Sequence, residues 1–65
     1  MNYEPENYQE VALLENQRTI NYDFGQGEIL KLINVWTDGK ENKQVLLENL
    51  QGRRLITGIE KIEIL

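Results

Sequence analysis

The chain carries few side chains that can do covalent chemistry. Its 65 residues include no Cys and no His, and the printed sequence contains no Ser. Nucleophilic catalysis of the Ser–His or Cys–His kind is therefore excluded, and so are metal sites built on thiolate or imidazole ligands. The remaining nucleophiles and acid–base groups are Thr, Tyr, Lys, Asp and Glu. We expect a protein that is not an enzyme.

The carboxylates are scattered rather than clustered for acid–base or metal chemistry. Asp23 and Asp38 are the only aspartates, and neither lies in the repeating pattern of a calcium-binding loop. Asp38-Gly39 is typical of a turn. Gly25-Gln26-Gly27 lacks the lysine and the spacing of a phosphate-binding loop. We therefore expect no catalytic residue, no bound metal and no cofactor, and no small-molecule substrate is evident.

Four basic side chains are candidates for contact with nucleic acid: Lys40 and Lys43 in one predicted loop, and the adjacent pair Arg53 and Arg54. Successive side chains of a regular strand point to opposite faces, so at most one of the arginines should join the lysines. Residues 18–65 carry seven basic and seven acidic side chains and are neutral overall. A neutral body lacks the basic footprint usual for this function. Nucleic-acid binding by a small regulatory barrel is therefore the alternative hypothesis.

The net charge of −4 belongs to residues 1–17, which contain four glutamates and no basic side chain. A second alternative is that this segment mimics nucleic acid and inhibits a nucleic-acid-binding protein. The first residues lack the basic and apolar regions of a signal peptide. No apolar run approaches the roughly 20 residues that span a membrane. We expect a cytoplasmic protein with no membrane partner, of bacterial or phage type by its Asn-, Gln-, Glu- and Ile-rich composition.

The acidic segment has two interpretations. Pro5 followed by Glu6 suits the start of a helix. Tyr8, Val11 and Glu15 would then share one helical face. The stretch from Gln9 to Leu14 also fits an edge strand. We favour a short N-terminal helix and keep the edge strand as the alternative for residues 5–15.

The rest of the chain predicts short strands. Ile20, Tyr22 and Phe24 alternate with polar residues, as in a half-buried strand. Turn signals with glycine recur along the sequence, and Gly58 is expected to form a tight corner. The predicted strands are residues 18–24, 28–37, 44–50, 53–57 and 60–65, with the first two joined as a hairpin by Gly25-Gln26-Gly27. The sequence thus predicts one mainly β domain over residues 1–65, a small five-stranded barrel with a short N-terminal helix.

This element order resembles Sm-like and SH3-like small barrels over most of the chain. The segment Leu55-Ile56-Thr57-Gly58, which precedes the last predicted strand, has none of the RNA-contacting residues of Sm-like proteins. The resemblance therefore implies a fold and transfers no functional residue.

The long strand from Glu28 to Thr37 is apolar on both faces. Ile29, Ile33 and Val35 lie on one side, and we place them in the core. The next strand likewise sets Val45 and Leu47 opposite other leucines. A second apolar face marks either a surface covered by the helix or a contact with another chain. The candidate partner-binding residues on that face are Leu30, Leu32, Trp36, Leu46 and Leu50.

The expected function is therefore a small protein-interaction module. It would associate with its own copies or bind a partner protein, through an apolar strand face or a sheet edge. Strands 44–50 and 60–65 are the candidate contact strands.

Overall fold

The structure, a computed structural model, describes residues 9–65. It confirms the prediction of a mainly β protein. The strands are β1 (Gln9–Leu13), β2 (Gln17–Arg18), β3 (Asp23–Phe24), β4 (Ile29–Thr37), β5 (Lys43–Glu48), β6 (Arg54–Gly58) and β7 (Ile62–Ile64), with a 3₁₀ helix (Ile59–Lys61) between the last two.

Five of the strands form one antiparallel sheet in the order β6-β5-β4-β1-β7, and β2 and β3 pair separately. β6 and β7 are the two edges of the sheet. Among residues 9–65 these edges do not pair with each other, so the predicted closed barrel is not formed. The described chain contains no helix with the length and apolar character needed to cross a membrane.

The helix predicted near the N-terminus is wrong for residues 9–13, which form β1. The part of that prediction on residues 1–8 lies outside the described residues. Val11 and Leu13 are buried on one side of β1, with Ala12 between them on the other. β1 lies inside the sheet, paired with β4 on one side and β7 on the other. Burial between two strands overrides the helical propensity of Glu, Leu and Ala here.

The hairpin predicted across Gly25-Gln26-Gly27 is also wrong, because β1 takes the place beside β4. Leu13 donates its amide to the Glu28 carbonyl at 3.1 Å and accepts from the Gly27 amide at 2.8 Å. The predicted strand over residues 18–24 is broken by a turn in which Thr19 bonds Tyr22. Ile20 stands at the tip of this turn, 98% exposed.

The long strand β4 contains a bulge between Leu32 and Asn34. Leu32 lies opposite Leu47, whereas Asn34 lies opposite Leu46, so Ile33 is an extra residue in the ladder. A bulge shifts the alternation of side chains by one residue. β4 therefore presents Leu30 and Leu32 to the core before the bulge and turns Trp36 to the opposite face after it.

The core is a single cluster of eight buried apolar side chains that draws on every strand of the main sheet: Val11, Leu13, Phe24, Leu30, Val45, Leu47, Leu55 and Ile62. Phe24 enters it from β3. Tyr22, Leu32 and Ile59 pack against its border. The face of β4, β5 and β6 on the other side of the sheet has no described layer over it.

Candidate protein-interaction surface

The strand β5 separates the core from the outer face of the sheet. Val45 and Leu47 are fully buried, and Leu46 between them points the other way. On that outer face Leu46 lies opposite Ile56 of β6 and Asn34 of β4. Directly opposed side chains of antiparallel strands have Cβ atoms about 5 Å apart, which is contact distance for Leu46 and Ile56.

Three large apolar side chains are neighbours on this part of the outer face: Trp36, Leu46 and Ile56, here called the outer patch. Trp36 lies opposite Gln44, two residues from Leu46 on the neighbouring strand. Such diagonal neighbours are about 7–8 Å apart, within reach of an aromatic ring. Ile56 is 61% exposed, and Trp36 and Leu46 are half-buried.

Polar side chains border the outer patch. The Arg54 Nε lies 3.2 Å from the Glu48 Oε2, and these two residues are cross-strand partners. Lys31 of β4 lies opposite Glu48 on its other side. Asn34 and Gln44 border the patch on β4 and β5. Protein interfaces commonly have an apolar centre inside a polar rim of this kind.

The five predicted partner-binding residues are divided among three environments. Trp36 and Leu46 belong to the outer patch. Leu30 is 2% exposed and lies in the core, so its expected outward orientation is wrong, and Leu32 packs against the core beside it. The cause of the inversion is the bulge, which places Leu30 on the opposite side of the sheet from Trp36. Leu50 lies beyond the end of β5.

Leu50 is 92% exposed and lines a separate groove of about 240 Å³. Tyr22 and Ile29 supply the other apolar walls, and Glu28, Asn49 and Gln51 the polar ones. The row that contains Lys31, Glu48 and Arg54 lies between this groove and the outer patch. The two apolar surfaces are therefore distinct.

The four basic candidates for nucleic-acid contact lie at opposite ends of β5. Lys40 is in the loop before β5 and Lys43 is its first residue. Arg54 pairs with Glu48 at the far end, five residues or about 17 Å away. The two arginine side chains also diverge, because Arg54 bonds Glu48 and Arg53 lies over the ring of Tyr22. These four basic side chains therefore do not lie on one common surface.

Glu15, in the described part of the acidic segment, contacts Lys61 of the 3₁₀ helix before β7. Glu15 accepts a hydrogen bond from the Lys61 Nζ at 3.0 Å and one from the Gln17 amide at 3.3 Å. The hydrogen bond and the charge of Glu15 raise the pKa of Lys61 above its usual value of 10.5. Within residues 9–65, no three side chains of metal-ligating type come together.

Two features of the surface were missed by sequence reasoning. Ile56 was assigned only to a strand, and its outward orientation follows from its pairing with Leu46; alternation along residues 53–58 does not distinguish it from Leu55. Gly58 is not the predicted corner: its φ of −73° and ψ of 149° are extended. A side chain at Gly58 would place its Cβ 2.5 Å from the Glu60 Oε2, so the Glu60 carboxylate occupies that space.

Comparison of the chain with protein-family models, with curated proteins and with solved structures finds no match.

Proposed function

We propose that this chain is a non-catalytic, cytoplasmic protein-interaction module whose contact surface is the outer patch. The observation that supports it is the row of Trp36, Leu46 and Ile56 on the face of the sheet opposite the core. These apolar side chains are neighbours in space and have charged and amide side chains around them. Contiguous apolar surface inside a polar rim is the usual character of a protein contact.

We also propose that the fold is of the SH3-like or Sm-like small-barrel kind in a partly open form. The support is the series of short strands joined by turns, with a single 3₁₀ turn before the last strand. The bulge in β4 adds to it, because a bulge bends the strand that carries it and curves the sheet. A curved sheet of this size can cover its core on one side and leave the other side for a partner.

The experiment compares two variants that introduce the same charge into the two apolar surfaces. Leu46→Glu places a carboxylate in the outer patch, and Leu50→Glu places one in the separate groove. Wild type and both variants are immobilised, and proteins retained from the source cell are quantified. We expect the specific partner to be kept by wild type and Leu50→Glu and lost from Leu46→Glu. Circular dichroism checks that all three are folded.

The reverse result, loss on Leu50→Glu with retention on Leu46→Glu, would assign the contact to the groove and reject the outer patch. Light scattering at two protein concentrations on the same three proteins detects self-association. A self-association that weakens only in Leu46→Glu supports the same surface. Retention of nucleic acid instead of protein, with a steep dependence on salt, would favour the alternative function.

A further inference from the structure

The edge strand β6 offers a row of backbone groups for pairing. Its one strand neighbour among residues 9–65 is β5. The turn between the two strands closes with the Asn49 amide bonded to the Arg53 carbonyl at 2.9 Å. Hydrogen-bonded pairs alternate along an antiparallel ladder. Leu55 and Thr57 therefore bond β5, and the amides and carbonyls of Arg54, Ile56 and Gly58 point away from it.

This edge has few of the features that usually prevent pairing between sheets. Prolines, lysines and bulges are common protections of edge strands. β6 has no proline or lysine, and its register with β5 is regular over five residues. The side chain at its centre, Ile56, is apolar and exposed. The opposite edge, β7, is three residues long.

The two ends of β6 carry opposite charges on the same face. Arg54 is the first residue of β6. At the other end the Glu60 carboxylate lies over Gly58, with its two oxygens 2.5 and 2.6 Å from the position of an added Cβ. Both charged groups remain accessible to a second chain. The Arg54 side chain is 60% exposed although it pairs with Glu48, and Glu60 is an exposed residue.

We propose that β6 pairs antiparallel with β6 of a second copy, about a two-fold axis at Ile56. This register pairs Arg54 with Gly58 of the second copy and uses all three outward-facing residues. Arg54 then meets the Glu60 carboxylate that covers that glycine, and the two-fold axis gives two such contacts. The inference rests on the proposed function and deepens it, because it names a second copy as the partner.

The pairing also joins the outer patches. Ile56 meets Ile56 of the second copy on the outer face, with Leu46 and Trp36 behind each of them. The two patches become one apolar strip across the joined sheets. An isologous contact of this kind is closed, so the assembly stops at a dimer. Association is a common source of stability for a chain of this size.

The first test is light scattering of the full chain over a range of concentrations. A mass of two chains at high concentration is expected. A monomer at every concentration would overturn the proposal, and so would larger assemblies, which indicate head-to-tail pairing of β6 with β7.

The second test exchanges charges between copies. Glu60→Lys gives a chain with two positive groups at the contact, and Arg54→Glu gives a chain with two negative groups. Each variant alone should dimerise at least tenfold more weakly than wild type, and an equal mixture should recover a heterodimer. Glu63→Lys is the matched control, because it makes the same charge change on β7 and should have no effect. An equal loss in Glu63→Lys, or no recovery in the mixture, contradicts the register.

Amide hydrogen exchange gives a third readout that needs no variant. The amide of Ile56 should exchange more slowly as the protein concentration rises, whereas the amides of Leu55 and Thr57 should be protected at all concentrations. Exchange at Ile56 that is independent of concentration in a dimeric sample would place the contact elsewhere.

The two proposals fail separately. A wild-type monomer that still retains a protein partner through Leu46 rejects the pairing of β6 and leaves the proposed function standing. A dimer that survives Leu46→Glu but not Glu60→Lys supports the edge contact, and it rejects the outer patch as a contact surface if Leu46→Glu also retains every protein that wild type retains. A monomer that retains no protein partner through Leu46 rejects both.

Discussion

The guanidinium of Arg53 lies over the ring of Tyr22, with its Cζ 4.6 Å from the ring centroid. Tyr22 in turn meets Phe24 edge to face, with the ring centroids 4.7 Å apart. Phe24 is part of the core. Arg53 therefore fastens the turn between β5 and β6 to the loop that contains β2 and β3, which is a structural role for one member of the arginine pair.

Replacing Arg53 with Ala should lower the free energy of unfolding by about 0.5–1 kcal/mol, the usual size of an exposed cation–π contact. Urea denaturation measures the change. The same substitution in Tyr22→Leu protein should have a smaller effect, because the ring is already absent. Additive losses in the double variant would show that the two side chains do not interact.

Neighbouring leucines of β5 should respond very differently to truncation. Leu47→Ala removes a fully buried side chain and should cost about 2–5 kcal/mol, a large part of the stability of so small a domain. Leu46→Ala should cost less than about 1 kcal/mol, since Leu46 lies on the outer face. Denaturant unfolding of the two variants provides the comparison. Equal losses would mean that another part of the chain or a partner protein covers Leu46 in the folded protein.

Gly52 has a φ of +85°, which side chains rarely adopt, and no atom lies within 4 Å of an added Cβ. Gly52→Ala should therefore cost about 1–2 kcal/mol through backbone strain alone. Gly25→Ala is the matched control, because Gly25 has equally open surroundings and no positive φ. It should be neutral or slightly stabilising. Thermal unfolding distinguishes them, and similar midpoints for both variants would contradict the strained turn.

The contact between Lys61 and Glu15 predicts that the stability of the fold depends on pH in the alkaline range. The pKa of Lys61 is raised in the folded chain, so the contribution of this pair is complete below the usual value of 10.5 and is lost as pH rises through the folded pKa. Glu15→Gln removes the charge that causes the shift.

We expect the stability difference between wild type and Glu15→Gln to be constant from about pH 7 to about pH 10 and to shrink above that range. Groups that titrate in both proteins cancel in this comparison. NMR titration of the Lys61 side chain measures the pKa directly. An unchanged pKa in Glu15→Gln would show that another group holds the ammonium.

Much of the second half of the fold was readable from the sequence. Val45 and Leu47 alternate with outward residues as predicted, and β5 and β6 begin and end within two residues of the predicted strands. Gly52 supplies the turn between them. These elements are local hairpins whose register depends on residues close in sequence, which is where patterns are most informative.

The first half was not readable in the same way. β1 has the composition of a helix, and its strand conformation depends on β4 and β7, which lie far away in sequence. The outer patch could not be predicted for a different reason, which is the bulge in β4. The alternation of apolar residues along β4 appears continuous, and nothing in the sequence marks Ile33 as extra. The expected grouping of Trp36 with Leu30 and Leu32 failed for that reason.

The bulge at Ile33 also has a consequence for how the length of this chain can change. Leu32 and Asn34 lie opposite Leu47 and Leu46, which are adjacent in β5. An in-frame loss of the Ile33 codon would therefore leave a regular ladder in which Trp36 keeps its outward position. This residue can be gained or lost in a single genetic step without changing which side chains of β4 face outward.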